Sequence, residues 1–288
     1  MKSLVSYKER GDYGNASYRG NTSGKLIIDL LNTYHSDCIS DYMCGSNTTR
    51  DVANTLGIQS NCYDLNMGFD LITDEIKERN KLIFWHPPYW DIIKYSGHVY
   101  GNTPLKNDLS HIKDYSLFMK KINYCLSKQF ASLEKGGRLI ILTADIKKQG
   151  KLYSMLLDMD KIGTLEQIIV KEQNNCLSDT KFYKKENFIR IAHETAVVLR
   201  RDYSYTLDFS IVQKGTCDLR DSMSITWKDL VASVVEKLGK IAKLEDIYKE
   251  IEGHKKCKSN KFWKEKVRQT LQVNPVFTRR EKGVWAIL

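Results

Sequence analysis

The stretch Lys81–Asp91, KLIFWHPPYWD, restricts the fold more tightly than any other in the chain. Mostly apolar residues climb to Trp85 and His86, and two consecutive prolines then forbid the strand to continue. Each proline lacks the N–H that a sheet ladder needs and holds φ at about −65°. A buried strand must therefore end in a stiff loop, and that loop carries a polar side chain followed by two aromatic rings, Tyr89 and Trp90. Such a loop at the end of a strand suits the capture of something planar.

Around it, short apolar runs alternate with helical patterns through the first two hundred residues, which predicts an α/β fold with a largely parallel sheet. Strands are expected at Cys38–Met43, Ser60–Leu65, Lys81–Trp85 and Arg138–Thr143. Phe118, Ile122, Cys125, Leu126, Phe130 and Leu133 recur at helical spacing from Tyr115 onward, and Gly136-Gly137 is expected to cap that helix. Leu165–Val170 and Thr195–Leu199 are expected to close the sheet as a hairpin around a polar insertion, Lys171–Arg190.

The chain of 288 residues has room for a mid-sized domain and a small one. After about Asp202 the sequence turns polar and loses periodicity, so the expected division is a domain over 1–202, a linker over 203–222 and a small domain over 223–288. In that last part, helices are expected at Trp227–Leu238, Leu244–Glu252 and Asn260–Gln272, followed by two short strands in VFTRREKGVWAI. Three helices and a terminal hairpin are the order of a winged helix-turn-helix.

Charge points the same way. The formal net charge is +10, and residues 221–288 hold 15 Lys/Arg against 9 Asp/Glu, so this tail supplies +6 of it. A basic excess gathered in a small unit suits a polyanion, because neutralising phosphates releases condensed counterions. Along the third helix Trp263, Val267 and Leu271 form an apolar stripe. Lys261, Lys264 and Arg268 occupy the other face, with Arg279, Arg280 and Lys282 in the hairpin; these six are candidate DNA contacts. Seven cysteines without a C-x-x-C pair indicate neither a disulfide framework nor a zinc cluster, and no metal site is expected. No apolar run approaches the roughly 18–20 residues of a membrane span, and MKSLVSYKERGDYGN has no signal-peptide core. A cytoplasmic protein without membrane contact is expected.

Two further segments bear on chemistry. DYMCGSNTT (Asp41–Thr49) follows a strand and opens a helix, the place where open parallel sheets bind ligands. Gly45 lets backbone approach closely there, and Asn47 is among the few non-glycine residues at ease in the left-handed region. About twenty residues on, Asp64 ends the second strand, where a carboxylate can accept from ribose hydroxyls.

DYMCGSNTT together with HPPYW resembles the S-adenosylmethionine (SAM)-dependent DNA amino-methyltransferases, whose cofactor loop is of the type D-P-F-x-G-S-G-T-T and whose catalytic loop is D/N/S-P-P-Y/F/W. YRGNTSGKLIIDLL (Tyr18–Leu31) resembles the family's further cofactor motif, G-N-x-x-x-K before a helix. The resemblance covers roughly residues 15–200. It implies a Rossmann-like methyltransferase fold and SAM as cofactor. The implied reaction is methylation of adenine N6, placed slightly ahead of cytosine N4, in double-stranded DNA.

Carried over by position, Asp41, Gly45, Ser46, Thr48 and Thr49 line the methionine end of the cofactor, Asp64 holds its ribose, and Asp70 lies near its adenine. Asn21 and Thr22 close the pocket. His86, Pro87, Pro88 and Tyr89 receive the flipped base, with Tyr89 stacking on it, and Trp90, Tyr95 and His98 are further candidate contacts. His86 stands where the family has Asp, Asn or Ser, and Asn47 where glycine is usual. A neutral imidazole accepts one hydrogen bond, so acid should abolish that acceptor, within about a unit of its reference pKa of ~6.5 unless the pocket shifts it. Alternatives are a DNA-binding protein on a catalytically weak or inactive methyltransferase scaffold, and an RNA methyltransferase. A homodimer and a cognate restriction enzyme are compatible partners.

Overall fold

Seven strands form one sheet: β1 (Leu4–Ser6), β2 (Cys38–Asp41), β3 (Gln59–Cys62), β4 (Asn80–Trp85), β5 (Leu133–Thr143), β6 (Thr164–Glu172) and β7 (His193–Arg200). Their spatial order is β1-β6-β7-β5-β4-β2-β3. Strands β2 to β5 run parallel, β1 is parallel to β6, and β7 is antiparallel to both β5 and β6. The α/β, Rossmann-like architecture with a mostly parallel sheet is therefore the one observed. This computed structural model describes residues 1–174, 189–203, 206, 208–212 and 225–287.

Both faces of the sheet are covered, which is why the middle strands read as unbroken apolar runs instead of alternating. On one face, Leu26, Ile27 and Leu30 of α1 (Gly24–Tyr34) and Val52 and Ala53 of α2 (Thr48–Leu56) pack with Leu82, Phe84, Ile140 and Val198. On the other, Phe118, Ile122, Cys125, Leu126 and Phe130 of α3 (Tyr115–Ser132) pack with Ile83, Trp85 and Ile141. Leu82 to Trp85 thus point alternately into two cores. Burying each such side chain stabilises the fold by roughly 1.5–3 kcal/mol.

The expected glycine cap of α3 is corrected. The helix ends at Ser132, Leu133 is already extended, and Gly136-Gly137 lie inside β5. Gly136 has φ 83° and donates its N–H to the Arg201 carbonyl. A Cβ on Gly137 would stand 2.9 Å from the carbonyl oxygens of Asn80 and Glu134. The pair makes an irregularity where the β4–β5 register shifts, so the glycines serve a close backbone approach and not a helix end. The hairpin of Asp145–Lys148 with Lys151–Ser154, turning on Gln149 and Gly150, adds to the elements expected from the sequence. Of the polar insertion, residues 175–188 lie outside the described residues.

The chain divides into two compact units, Met1–Val212 and Gln213–Leu288, and the expected linker lies for the most part outside the described residues. Within the second unit, helices Trp227–Lys237, Leu244–Ile251 and Trp263–Val273 enclose Leu230, Val234, Ile247, Ile251, Val267 and Leu271. Thr226 caps the first of them, its side chain accepting from the Asp229 N–H at 3.1 Å. The terminal hairpin Phe277–Glu281 and Val284–Ile287 gains a third antiparallel strand, Ile241–Lys243. Among the described residues no helix is long and apolar enough to cross a membrane.

Candidate active site

Strand β3 lies on one side of β2 and β4 on the other, so the chain's connections diverge at the C-terminal end of β2, where open α/β sheets bind ligands. A cavity of about 830 Å³, counting open solvent at its mouth, lies there. All nine residues expected to hold the cofactor line it: Asn21, Thr22, Asp41, Gly45, Ser46, Thr48, Thr49, Asp64 and Asp70.

The turn between β2 and α2 is held from both sides. Asp41, 3% exposed, accepts from Thr49 Oγ1 at 2.6 Å and from the Met43 N–H at 3.1 Å. Burial nevertheless pushes its carboxyl up to about 7, since two neutral donors replace hydration only in part. Gly45 has φ 46°, and a Cβ on it would lie 3.1 Å from the Tyr18 ring. Its N–H donates to Asp64 Oδ2 at 2.9 Å, while Asp64 Oδ1 accepts from the Asn66 N–H at 2.9 Å. Burial raises the Asp64 carboxyl as well. Asn47 takes the left-handed conformation, φ 67°, that glycine would otherwise supply.

The segment before α1 is tied to this turn. Thr48 Oγ1 donates to Asn21 Oδ1 at 2.5 Å, Asn21 Nδ2 donates to the Asn15 carbonyl at 2.9 Å, and the Gly14 N–H donates to Asp51 Oδ2 at 2.8 Å. Thr22 Oγ1 is buried with no hydrogen-bond partner among the described residues. Asp70 accepts from Asn107 Nδ2 at 2.7 Å, which pins the segment after the proline loop to the cavity wall. Deeper in that segment Asp108 gathers Ser96 and Ser110. Burial opposes its ionisation, but donors from both residues outweigh burial and hold its carboxyl below the usual range.

At the proline loop, His86 and Pro88 line the cavity, while Pro87 and Tyr89 are not among its lining residues. Instead of offering a free ring, Tyr89 uses its hydroxyl, 2.8 Å from His86 Nε2 and 2.7 Å from Glu194 Oε1. Lys171 Nζ donates to Glu194 Oε2 at 2.6 Å. Burial disfavours the Glu194 carboxylate, but the Lys171 charge and these hydrogen bonds hold its pKa below normal. Burial lowers His86 to about 4, against the opposing pull of Glu194. The imidazole is thus neutral near pH 7, and its 4.0 Å approach to Glu194 is not an ion pair. The pocket thus shifts the expected loss of the acceptor: desolvation moves it from around pH 6.5 well into acid.

Trp90 is also corrected. It is 5% exposed, donates Nε1–H to the Ile112 carbonyl at 2.9 Å, and packs against Tyr115 and Tyr153 with Lys148 over its ring. It is a core residue, unavailable to a base or to DNA. Tyr95 lines the cavity and stacks on Tyr18, centroids 5.8 Å apart, whereas His98 stacks on His111.

In the second unit Lys261, Lys264, Arg268, Arg279, Arg280 and Lys282 are all exposed. Val267 and Leu271 of the same helix are buried, and Arg268 Nη2 donates to Glu265 at 2.9 Å. Sequence reasoning passed over Tyr18, Tyr100 and Asp108 in the cavity wall, and Lys171 and Glu194 behind His86. The last two did leave a signal: a glutamate heading the apolar run TAVVL, and a lysine ending the apolar run before the insertion.

A scan against protein-family models finds no match, and a search of the curated proteins finds none. Among solved structures the chain resembles TTHA0409 of Thermus thermophilus, named provisionally as a DNA modification methylase, at 18% identity and TM-score 0.31, over 47% of this chain and 51% of that one. Its SAM complex matches at 20% identity and TM-score 0.29, over 47% and 53%. An rRNA methylase from Streptococcus thermophilus matches at 12% identity and TM-score 0.30, over 62% and 96%. The chain spans about half the length of the Thermus protein it matches.

Proposed function

We propose that the chain is a SAM-dependent methyltransferase acting on an exocyclic amine, adenine N6 or cytosine N4, of a base flipped out of DNA. One observation carries the reading: a single cavity is lined by Thr22, Asp41, Gly45 and Asp64 and also by His86 and Pro88, so the two motifs converge. The residues present fit the cofactor. Thr22 Oγ1 is a buried group still wanting a partner. Gly45 brings backbone to the cavity wall, and each Asp64 oxygen, with one donor assigned, keeps a lone pair for a ribose hydroxyl.

When bound, SAM supplies an electrophilic methyl group and leaves as a neutral thioether. The protein's task lies on the amine side. An exocyclic amine conjugated to its ring is a weak nucleophile until its lone pair is turned toward the sulfonium. Acceptors for its protons favour that geometry, and His86, which lines the cavity, supplies one. The neutral imidazole suits the role, since a protonated one would have no lone pair to offer. The second unit, whose helices Trp227–Lys237, Leu244–Ile251 and Trp263–Val273 are joined by the short helix Lys255–Lys258 and followed by a terminal hairpin, exposes the six candidate cations and is read as a winged-helix-like module that holds duplex DNA by its phosphates.

The test is to incubate the full chain with methyl-labelled SAM and either duplex DNA or RNA, and to identify the labelled nucleoside by mass spectrometry. N6-methyladenine or N4-methylcytosine from DNA is expected. Label confined to RNA, or to neither, would refute the reading.

A further inference from the structure

The bonds behind His86 decide which of its nitrogens carries the proton. Lys171 on β6 and Glu194 on β7 are neighbours across the antiparallel pair, nearly buried at 11% and 10% side-chain exposure, with Lys171 Nζ 2.6 Å from Glu194 Oε2. An ionised carboxylate can only accept. The Tyr89 hydroxyl, 2.7 Å from Glu194 Oε1, therefore gives its single proton to Glu194. Its oxygen, 2.8 Å from His86 Nε2, is then left to accept, so the imidazole must carry its hydrogen on Nε2. His86 Nδ1 makes no hydrogen bond among the described residues.

We propose that Lys171, Glu194 and Tyr89 form a positioning relay that fixes His86 as the Nε2–H tautomer, leaving Nδ1 bare to accept the substrate amine proton. This rests on the proposed function and adds to it three residues, from β6, β7 and the proline loop, that set which acceptor the site presents. Among the described residues, the charged and titratable groups acting on His86 are these three: Tyr89 from its own loop, Glu194 from β7 and Lys171 from β6. Tyr89 thereby exchanges the stacking role expected of it for an orienting one.

The relay has a polarity that one isosteric change should reverse. In Glu194→Gln, Lys171 holds the amide oxygen, which turns the amide NH₂ toward Tyr89. The Tyr89 oxygen must then accept and its proton swing to His86 Nε2, forcing the imidazole proton onto Nδ1. The experiment is ¹⁵N NMR of the full chain labelled at histidine, with the His86 signals assigned by their loss in His86→Asn. The parent should show a protonated Nε2 and an unprotonated Nδ1, and Glu194→Gln the reverse. Tyr89→Phe should show an average of both. Single-turnover methylation by Glu194→Gln should fall about 100-fold, with SAM affinity unchanged.

Retention of the parental tautomer in Glu194→Gln or Tyr89→Phe would overturn the relay. So would reversal of the tautomer with no loss of rate. If the parent methylates neither DNA nor RNA while the tautomer still reverses in Glu194→Gln, the relay's hold on His86 stands and the methyltransferase reading falls, which keeps the two failures apart.

Discussion

The two ends of the cavity bury acid groups in opposite ways. At the end formed by β2 and α2, Asp41 faces only a hydroxyl and an amide N–H, and burial pushes its carboxyl up to about 7. Behind the proline loop, Glu194 is buried too, yet Lys171 and the surrounding hydrogen bonds hold its carboxyl below the usual range. Burial alone therefore does not set the charge of a buried carboxyl; the partner does. The first end gains from an incoming cation such as a sulfonium, while the second is already neutralised and is free to orient His86.

The largest effect should come from breaking the neutralised end. Lys171→Met leaves Glu194 buried without its cation, and a broken buried pair typically costs about 3–5 kcal/mol. Denaturant unfolding of Lys171→Met should show a loss of this size, and the double change Lys171→Met with Glu194→Leu should recover most of it. A single change that leaves stability untouched would mean that the pair is not buried as described.

Smaller in energy, Asp64→Ala at the other end removes the carboxylate proposed to hold the ribose and should weaken SAM binding by about 1.5–3 kcal/mol. Calorimetry checks it, and unchanged affinity would move the cofactor elsewhere. The same contrast has a pH signature. In the native state Asp41 keeps its proton to about 7, whereas an unperturbed Asp releases it near 3.8. Between those values the unfolded chain binds fewer protons, so this group makes stability fall as pH rises. Asp41→Asn should remove that slope, and parallel stability curves for the parent and the variant would sharpen the comparison against Asp41.

The two ends also differ in how far they could be read from the sequence. Asp41 to Thr49 is one contiguous turn: a strand followed by a glycine turn and a helix predicts its place, and the resemblance to the amino-methyltransferases implies its lining residues. Tyr89 and Glu194 are 105 positions apart, and nothing local announces that a hydroxyl and a carboxylate so distant share a proton. Trp90 misled for a related reason. An aromatic after two prolines looks like a platform, yet its surroundings, Tyr115 and Tyr153, come from later elements that bury it. Gly136-Gly137 resembled a helix cap because their spacing after α3 is right. Only the close approach of the Asn80 carbonyl reveals why the site admits no side chain.

The most direct measurement is the pH dependence of single-turnover DNA methylation for the parent and His86→Ala, with SAM affinity determined alongside. With His86 held at about 4, the parent should keep a constant rate for the chemical step between about pH 8 and pH 5 and lose it only in stronger acid. His86→Ala should bind SAM as the parent does and methylate about 100-fold more slowly. A variant that methylates at the parent rate, or a parent whose rate already halves near pH 6.5, would contradict a desolvated, neutral His86 as the acceptor of the amine proton.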